Sequence, residues 1–409
     1  MEDFPQHENA QDQAQARAPR MTILAGPNGS GKSTVTRGLE QDPEFPAARY
    51  VNADEIAKTL EKPVADADTR RAWAQTIAPN MPDLPILGQI RYLGARMSED
   101  QIASELEKGV SNTQMRNAFA AILADDQRQQ YVNAPQKADF AFETVMSTQG
   151  KLALFDDARQ KGFQVDMVFV TTENAAINQQ RVLNRVQQGG HGVDPDKIAE
   201  RYQRAMDMLP AALQRVDTAS VYDNSHHGPV LIAKKEDGQI VFPEIQKPQV
   251  DNPVTQGKWD RDWEQAREGL VEMQGKLRDN VRALEQDAQA LREHPSRQGK
   301  AFEQAGIQQG SETIGRVVDI TQRHVLQFDY EDQRFVLHDR SLLTPGAMPK
   351  LQEAMQSGTE VNLTYQYGPD SKLANQGKTL EQTPMMGQRE LDQYLFDPNS
   401  RESPKPPGP

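Results

Sequence analysis

Met21-Thr-Ile-Leu-Ala-Gly-Pro-Asn-Gly-Ser-Gly-Lys-Ser-Thr34 is the stretch on which the fold of this chain turns. Met21 to Ala25 form a short apolar run bounded by Pro19 and Gly26, the pattern of a buried strand. The residues that follow, Gly26-Pro-Asn-Gly-Ser-Gly-Lys-Ser33, fit G-x-x-x-x-G-K-[ST] and lead straight into a helix-compatible run over 33–40. In that setting the turn formed by Gly26, Pro27, Asn28, Gly29, Ser30 and Gly31, continued by Lys32, Ser33 and Thr34, wraps the phosphates of a nucleoside triphosphate. The N-terminus of the helix assists it. Lys32 reaches the β- and γ-phosphates, and the Ser33 hydroxyl ligates Mg²⁺. A chance match is expected only about 0.02 times in a chain of this length, so a glycine turn that merely joins strand to helix is the weaker reading.

Working outward, strand-like runs recur at 49–52, 140–142, 165–171 and 220–222, and helix-compatible runs at 150–161, 175–187 and 195–208. This alternation predicts an α/β fold with a mainly parallel sheet flanked by helices. Residues 61–135 are long for one crossover and mostly helical in pattern (100–108 and 114–125), which predicts an inserted helical subdomain. A hairpin over 230–242, turning at Asp237-Gly238, closes the first domain. Residues 243–257 read as a linker. Beyond them Trp263, Leu270, Leu277, Leu284 and Leu291 recur every seven residues, with Ala266, Met273, Val281 and Ala288 near the alternate seam. That stripe predicts a coiled-coil-like helix over 258–296, ended by Pro295, which either docks on its own chain or dimerises. Runs at 314–320, 325–330, 334–338 and 360–367 predict a small β-domain or barrel over 311–370. The expected organisation is a disordered lead-in (1–20), a nucleotide-binding domain (21–243), the long helix (258–296), the β-domain (311–370) and a flexible tail (371–409).

Composition narrows the class. The chain has 409 residues, 36% hydrophobic and 26% charged, with no cysteine. The length predicts two or three domains. Zero cysteine excludes disulfides, thiolate zinc sites and cysteine nucleophiles. A formal net charge of −13 argues against a chain-wide polyanion surface, so there is no strong nucleic-acid signal. No apolar run approaches the ~18 residues of a membrane span, and residues 1–19 contain no apolar signal core. The expected location is cytoplasmic, with no membrane partner.

A phosphate loop alone does not name the acceptor. Val51-Asn-Ala-Asp54 places a carboxylate at the end of the second strand, in the crevice that strand C-termini line. Asp54 there either takes a proton from an attacking hydroxyl or caps the helix that follows. Phe140-Ala-Phe-Glu-Thr144 places a second carboxylate and a hydroxyl in the same register, with the same two readings. No strand ends in the acid of an ATPase motor; Phe169-Val-Thr-Thr172 ends in hydroxyls. Arg181 and Arg185 share one helix face at i and i+4, ahead of a flexible Gly189-Gly-His-Gly192 break suited to a lid. Their bland alternative is a solvated charged face. Arg201 and Arg204 on the next helix have less support, His191 reads as a loop hydrogen-bonder, and His226-His227 shows no partners in the sequence.

Together, Ala25 to Thr34, Val51-Asn-Ala-Asp54, Phe142-Glu-Thr144 with Ser147, Arg181-Val-x-x-Arg-Val-x-x-Gly-Gly-His191-x-Val193 and Tyr222-Asp-Asn-Ser225 resemble the zeta toxin family. The match runs over about 22–242, a little over half the chain. The resemblance implies a P-loop kinase that transfers phosphate from ATP or GTP to the 3′-hydroxyl of UDP-N-acetylglucosamine, poisoning peptidoglycan synthesis. It implies Lys32 and Ser33 on phosphate and Mg²⁺, Asp54 as base, Glu143 and Thr144 on the sugar nucleotide, and Arg181 as a transition-state arginine. Arg185 or Arg201 takes the second arginine's place. It also implies a separate antitoxin partner. Some relatives phosphorylate other acceptors, among them nicotinamide dinucleotides, and the 61–135 insertion lies where the acceptor binds. Residues 315–367 faintly resemble the KfrB-type domain of conjugative-plasmid proteins. That leaves a third reading, a nucleotide-gated interaction protein of a mobile element whose C-terminal domain holds a protein partner.

Overall fold

The computed structural model describes residues 17–39, 45–80, 97–188, 193–307, 310–343, 346–367, 373–375 and 378–379. The expected lead-in up to residue 16, the Gly189–Gly192 break with His191, and most of the expected tail lie outside them.

Strand β1 (Arg20–Ala25) is central in a seven-stranded sheet, because Met21, Ile23, Leu24 and Ala25 are buried and both its edges are paired. β2 (Tyr50–Val51), β3 (Phe140–Thr144), β4 (Gln164–Thr171) and β5 (Thr218–Asp223) run parallel to it in the order β2-β3-β1-β4-β5. β6 (Val230–Glu236) and β7 (Gln239–Val241) extend the sheet antiparallel, as the expected hairpin. The fold is α/β, with a mainly parallel sheet flanked by helices. Its crossovers are α1 (Lys32–Leu39), α2 (Ala53–Leu60), α3 (Ala67–Asn80), α4 (Glu99–Lys108), α5 (Thr113–Asn133), α6 (Gly150–Gln160), α7 (Ala175–Gln187) and α8 (Pro195–Arg215).

Among the described residues of the insertion, helices α3 to α5 build, with α2, a core of their own around Leu60, Ile77, Ile102, Leu106 and Phe119. α8 outruns the expected stop at residue 208 and carries Pro210 within it. A proline there removes one backbone hydrogen bond, but Leu209, Ala212 and Leu213 continue the buried face and keep the helix going.

The expected linker over 243–257 is too long. The Asn252 side chain accepts from Val254 N and Thr255 N, and Pro253 takes the first helical position, so α9 starts five residues early and runs Pro253–Glu293. At ~1.5 Å per residue this 41-residue helix is about 60 Å long. Its stripe docks on its own chain: Ala266, Leu270, Met273, Leu277 and Val281 join the main core, to which both sheets contribute, and Ala288 and Leu291 pack on the second sheet.

That second sheet is open, in the order β15-β12-β9-β10-β11-β8, and not the barrel offered as one expectation. Its strands are β8 (Ala301–Gln304), β9 (Glu312–Ile320), β10 (His324–Asp329), β11 (Arg334–Asp339), β12 (Glu360–Thr364) and β15 (Lys378–Thr379); β13 (Gln366–Tyr367) and β14 (Leu373–Asn375) pair separately. α10 (Ala347–Ser357), unforeseen in the sequence, packs on β9 and β12 through Ala347, Leu351 and Ala354.

Candidate nucleotide and phosphoryl-transfer site

The loop after β1 is shaped by its neighbours. Gly26 has φ +140°, and a Cβ on it would lie 2.0 Å from Val170 O. Gly31 has φ +94°, and a Cβ there would lie 2.1 Å from Asn224 Nδ2. Only glycine meets both demands. The loop carbonyls are held from outside: Asn178 Nδ2 donates to Asn28 O (2.8 Å), and Asn224 Nδ2 to Ser30 O (2.8 Å). Gly26 N donates to Thr144 O (3.2 Å), tying the loop to the end of β3.

Lys32 is 8% exposed and donates from Nζ to Gly26 O (2.7 Å) and Pro27 O (3.1 Å), with Glu143 Oε1 at 3.7 Å. Burial lowers the Lys32 ammonium below its ordinary value, while Glu143 and Asp54 oppose the shift. A buried cation with one carboxylate near it and its donors at a glycine turn is built to take an anion. Glu143 is fixed in turn by Tyr50 Oη (3.0 Å) and Asn52 Nδ2 (3.1 Å), both donating to Oε2. Burial, and then Glu143, push the Tyr50 phenol up, so it stays a donor at neutral pH.

The capping alternatives for the two carboxylates fail. Asn52 caps α2, its Oδ1 accepting from Asp54 N at 2.8 Å, which leaves the Asp54 side chain exposed. α6 starts at Gly150 with no side-chain cap, so neither Glu143 nor Thr144 closes it. Thr144 Oγ1 accepts from Met146 N at 3.1 Å. The negative charge of Asp54 acts on both Lys32 and Arg201.

The arginines divide. Arg181 is committed to the loop's surroundings: Nη2 donates to Asn224 O (2.7 Å) and Ser225 O (3.2 Å), and Nη1 lies 3.5 Å from Ser30 O. Burial lowers its pKa from the ordinary value, and Asp223 opposes that. Arg185 is exposed, and its positive charge acts on Lys32. Arg201, the less supported candidate, is half-buried and donates from Nη1 to Asn28 Oδ1 (3.4 Å), so it also touches the loop. Arg204 pairs with Glu200 on the helix surface. His226 and His227 do have partners, Glu173 Oε1 (2.8 Å) and Asp262 Oδ2 (2.7 Å).

The sequence reading missed Asn178, Tyr50 and Asn52. Asn178 lies three residues before Arg181 and so shares its helix face, a signal that was available. Tyr50 and Asn52 meet Glu143 only through the pairing of β2 with β3, over more than ninety residues.

Ser33 is exposed at the first turn of α1. No group of three or more His, Asp or Glu able to hold a metal occurs among the described residues. A lone hydroxyl at the end of a glycine turn fits Mg²⁺, which keeps most of its shell for water and ligand oxygens.

Residues 312–369 match the family model of the KfrB Domain. The faint resemblance read over 315–367 therefore stands. No curated protein matches the chain. Among solved structures it is similar to AvrRxo1-ORF1:AvrRxo1-ORF2 with ATP, at 14% identity over 65% of this chain and 81% of that one, with a TM-score of 0.33. It is also similar to the PezAT chromosomal toxin-antitoxin system of Streptococcus pneumoniae, at 12% identity over 66% and 91%, with a TM-score of 0.31. At these values the likenesses assign neither a substrate nor a residue role. No helix among the described residues is long and apolar enough to cross a membrane.

Proposed function

We propose that residues 21–243 form a zeta-toxin-like kinase that transfers the γ-phosphate of ATP or GTP to the 3′-hydroxyl of UDP-N-acetylglucosamine, depleting a peptidoglycan precursor. The observation that carries the reading is Asp54: Asn52 does the capping, so the Asp54 carboxylate is free, exposed and within the electrostatic reach of Lys32 and Arg201. The loop and Lys32 hold the triphosphate. Ser33 would hold Mg²⁺, which when bound would supply charge neutralisation at the transferring group. Asp54 accepts the proton of the acceptor hydroxyl, whose oxygen bonds to the γ-phosphorus as the bond to the β-phosphate oxygen breaks and the nucleoside diphosphate leaves. Glu143 and Thr144 orient the sugar nucleotide. Arg181 braces the loop beside the γ-phosphate, and Arg185 and Arg201 are the two cations placed to meet its developing charge. The long helix packs on this unit through Ala266, Leu270 and Met273, and a separate antitoxin neutralises it.

Asp54→Asn tests the central step. Loss of a general base costs about 10²–10⁴ in rate, so phosphate transfer should fall by that factor while nucleotide affinity stays within about twofold. Transfer at the unaltered rate would remove Asp54 from the mechanism.

A further inference from the structure

Helix α9 reaches the nucleotide loop through one short segment. Residues 223–227 leave β5 and face two ways. Inward, Asn224 donates to Ser30 O and, with Ser225, accepts from Arg181. Outward, Ser225 Oγ accepts from Glu173 N (2.7 Å), His226 meets Glu173 Oε1 (2.8 Å), and His227 meets Asp262 of α9 (2.7 Å). Both imidazoles lie against the fully buried Trp259 of α9, at centroid distances of 6.3 and 5.4 Å.

Glu173 itself rests on α9. A Cβ at Gly269 would stand 2.1 Å from Glu173 Oε1 and 2.5 Å from its Cδ. A glycine inside a helix costs stability, and Gly275, one and a half turns on, faces open space and shows no such contact. Gly269 therefore has a local reason to be glycine: it lets the Glu173 carboxylate approach the helix axis closely enough to hold His226.

We propose that α9 is part of the nucleotide site: through Gly269, Trp259 and Asp262 it fixes Glu173 and the 223–227 segment, and that segment sets the loop's affinity for nucleotide. Glu173 is a positioning residue, acting on the loop through His226, Ser225 and Asn224. The inference rests on the phosphate-binding reading of the loop. It makes the C-terminal half a lever on the nucleotide site, since any movement of α9 is felt two residues from Arg181's and Ser30's partners.

The test is titration of the full chain with a fluorescent ATP analogue and Mg²⁺, beside thermal melts. Gly275→Ala should bind as the unaltered chain does. Gly269→Ala should weaken binding about tenfold, about 1.4 kcal/mol, and speed amide exchange at the loop around Ser30. Asp262→Ala, which removes His227's partner with no steric load, should weaken it about two- to threefold. A purely structural role would lower the melting temperature and leave the affinity of the folded protein unchanged. Unaltered affinity in both Gly269→Ala and Asp262→Ala overturns the inference alone; should Gly269→Ala not fold, unaltered affinity in Asp262→Ala does so. If the unaltered chain binds no nucleotide, the reading of the loop falls first and takes the inference with it.

Discussion

The two sheets bury polar groups in opposite ways. In the C-terminal sheet the network is closed: Gln327 Nε2 donates to Val361 O (2.8 Å) and Gly315 O (3.0 Å), its Oε1 meets His338 Nε2 (3.0 Å), and His338 Nδ1 meets Tyr365 Oη (2.9 Å). Burial pushes the His338 imidazole down to about 3, so it is neutral and every member has a partner. Around the nucleotide loop the network is open. Lys32 is a buried cation, Ser30 Oγ has no hydrogen-bond partner, and Asp223 Oδ2 has none either. A closed network specifies a fold; an open one holds unspent interaction energy for a ligand.

Three substitutions sharpen that contrast. The largest effect belongs to Lys32→Met. Transfer should fall by about 10³ or more, and the melting temperature should fall as well, because Glu143 loses the cation it faces and Gly26 O and Pro27 O lose their donor. Transfer at the unaltered rate in this variant would break the comparison. Next, His338→Ala leaves Gln327 and Tyr365 with unmet groups and opens a cavity. Stability should drop by about 2–4 kcal/mol in denaturant unfolding, with turnover of the folded protein unchanged.

The smallest and most pH-dependent effect is at Asp223. Burial raises its carboxyl from 3.8 to about 6, with the Ser225 hydrogen bonds opposing. The folded chain thus holds this proton more tightly than the unfolded one. Its stabilising contribution is complete below the unfolded value of 3.8 and is lost as pH rises through about 6. Asp223→Asn should match the unaltered chain near pH 4 and exceed it at pH 7.5, by at most about 3 kcal/mol. Melts at the two pH values check the sign.

Where a local pattern dictates structure, the sequence was legible. β1, the loop and α1 follow from one motif, and α7 runs over the very residues its periodicity marks. Long-range burial was not legible: α8 continues through Pro210 because its buried face does, and Trp259, left out of a stripe counted from Trp263, is buried against the His226-His227 segment. The site followed the same rule. Lys32, Asp54, Glu143 and Arg181 could be named from strand and helix ends, whereas Tyr50, Asn52 and Asn178 act across strand pairs and between elements. Arg201, which the resemblance offered beside Arg185, reaches Asn28, a contact that helix periodicity alone does not indicate.

The most direct test of the kinase reading is mass spectrometry of the full chain incubated with Mg²⁺-ATP and UDP-N-acetylglucosamine, UDP-glucose, NAD or no acceptor. The account predicts a single added phosphate on UDP-N-acetylglucosamine, absent with Asp54→Asn. Phosphate on NAD alone would contradict the acceptor, and phosphate on no small molecule would contradict the kinase.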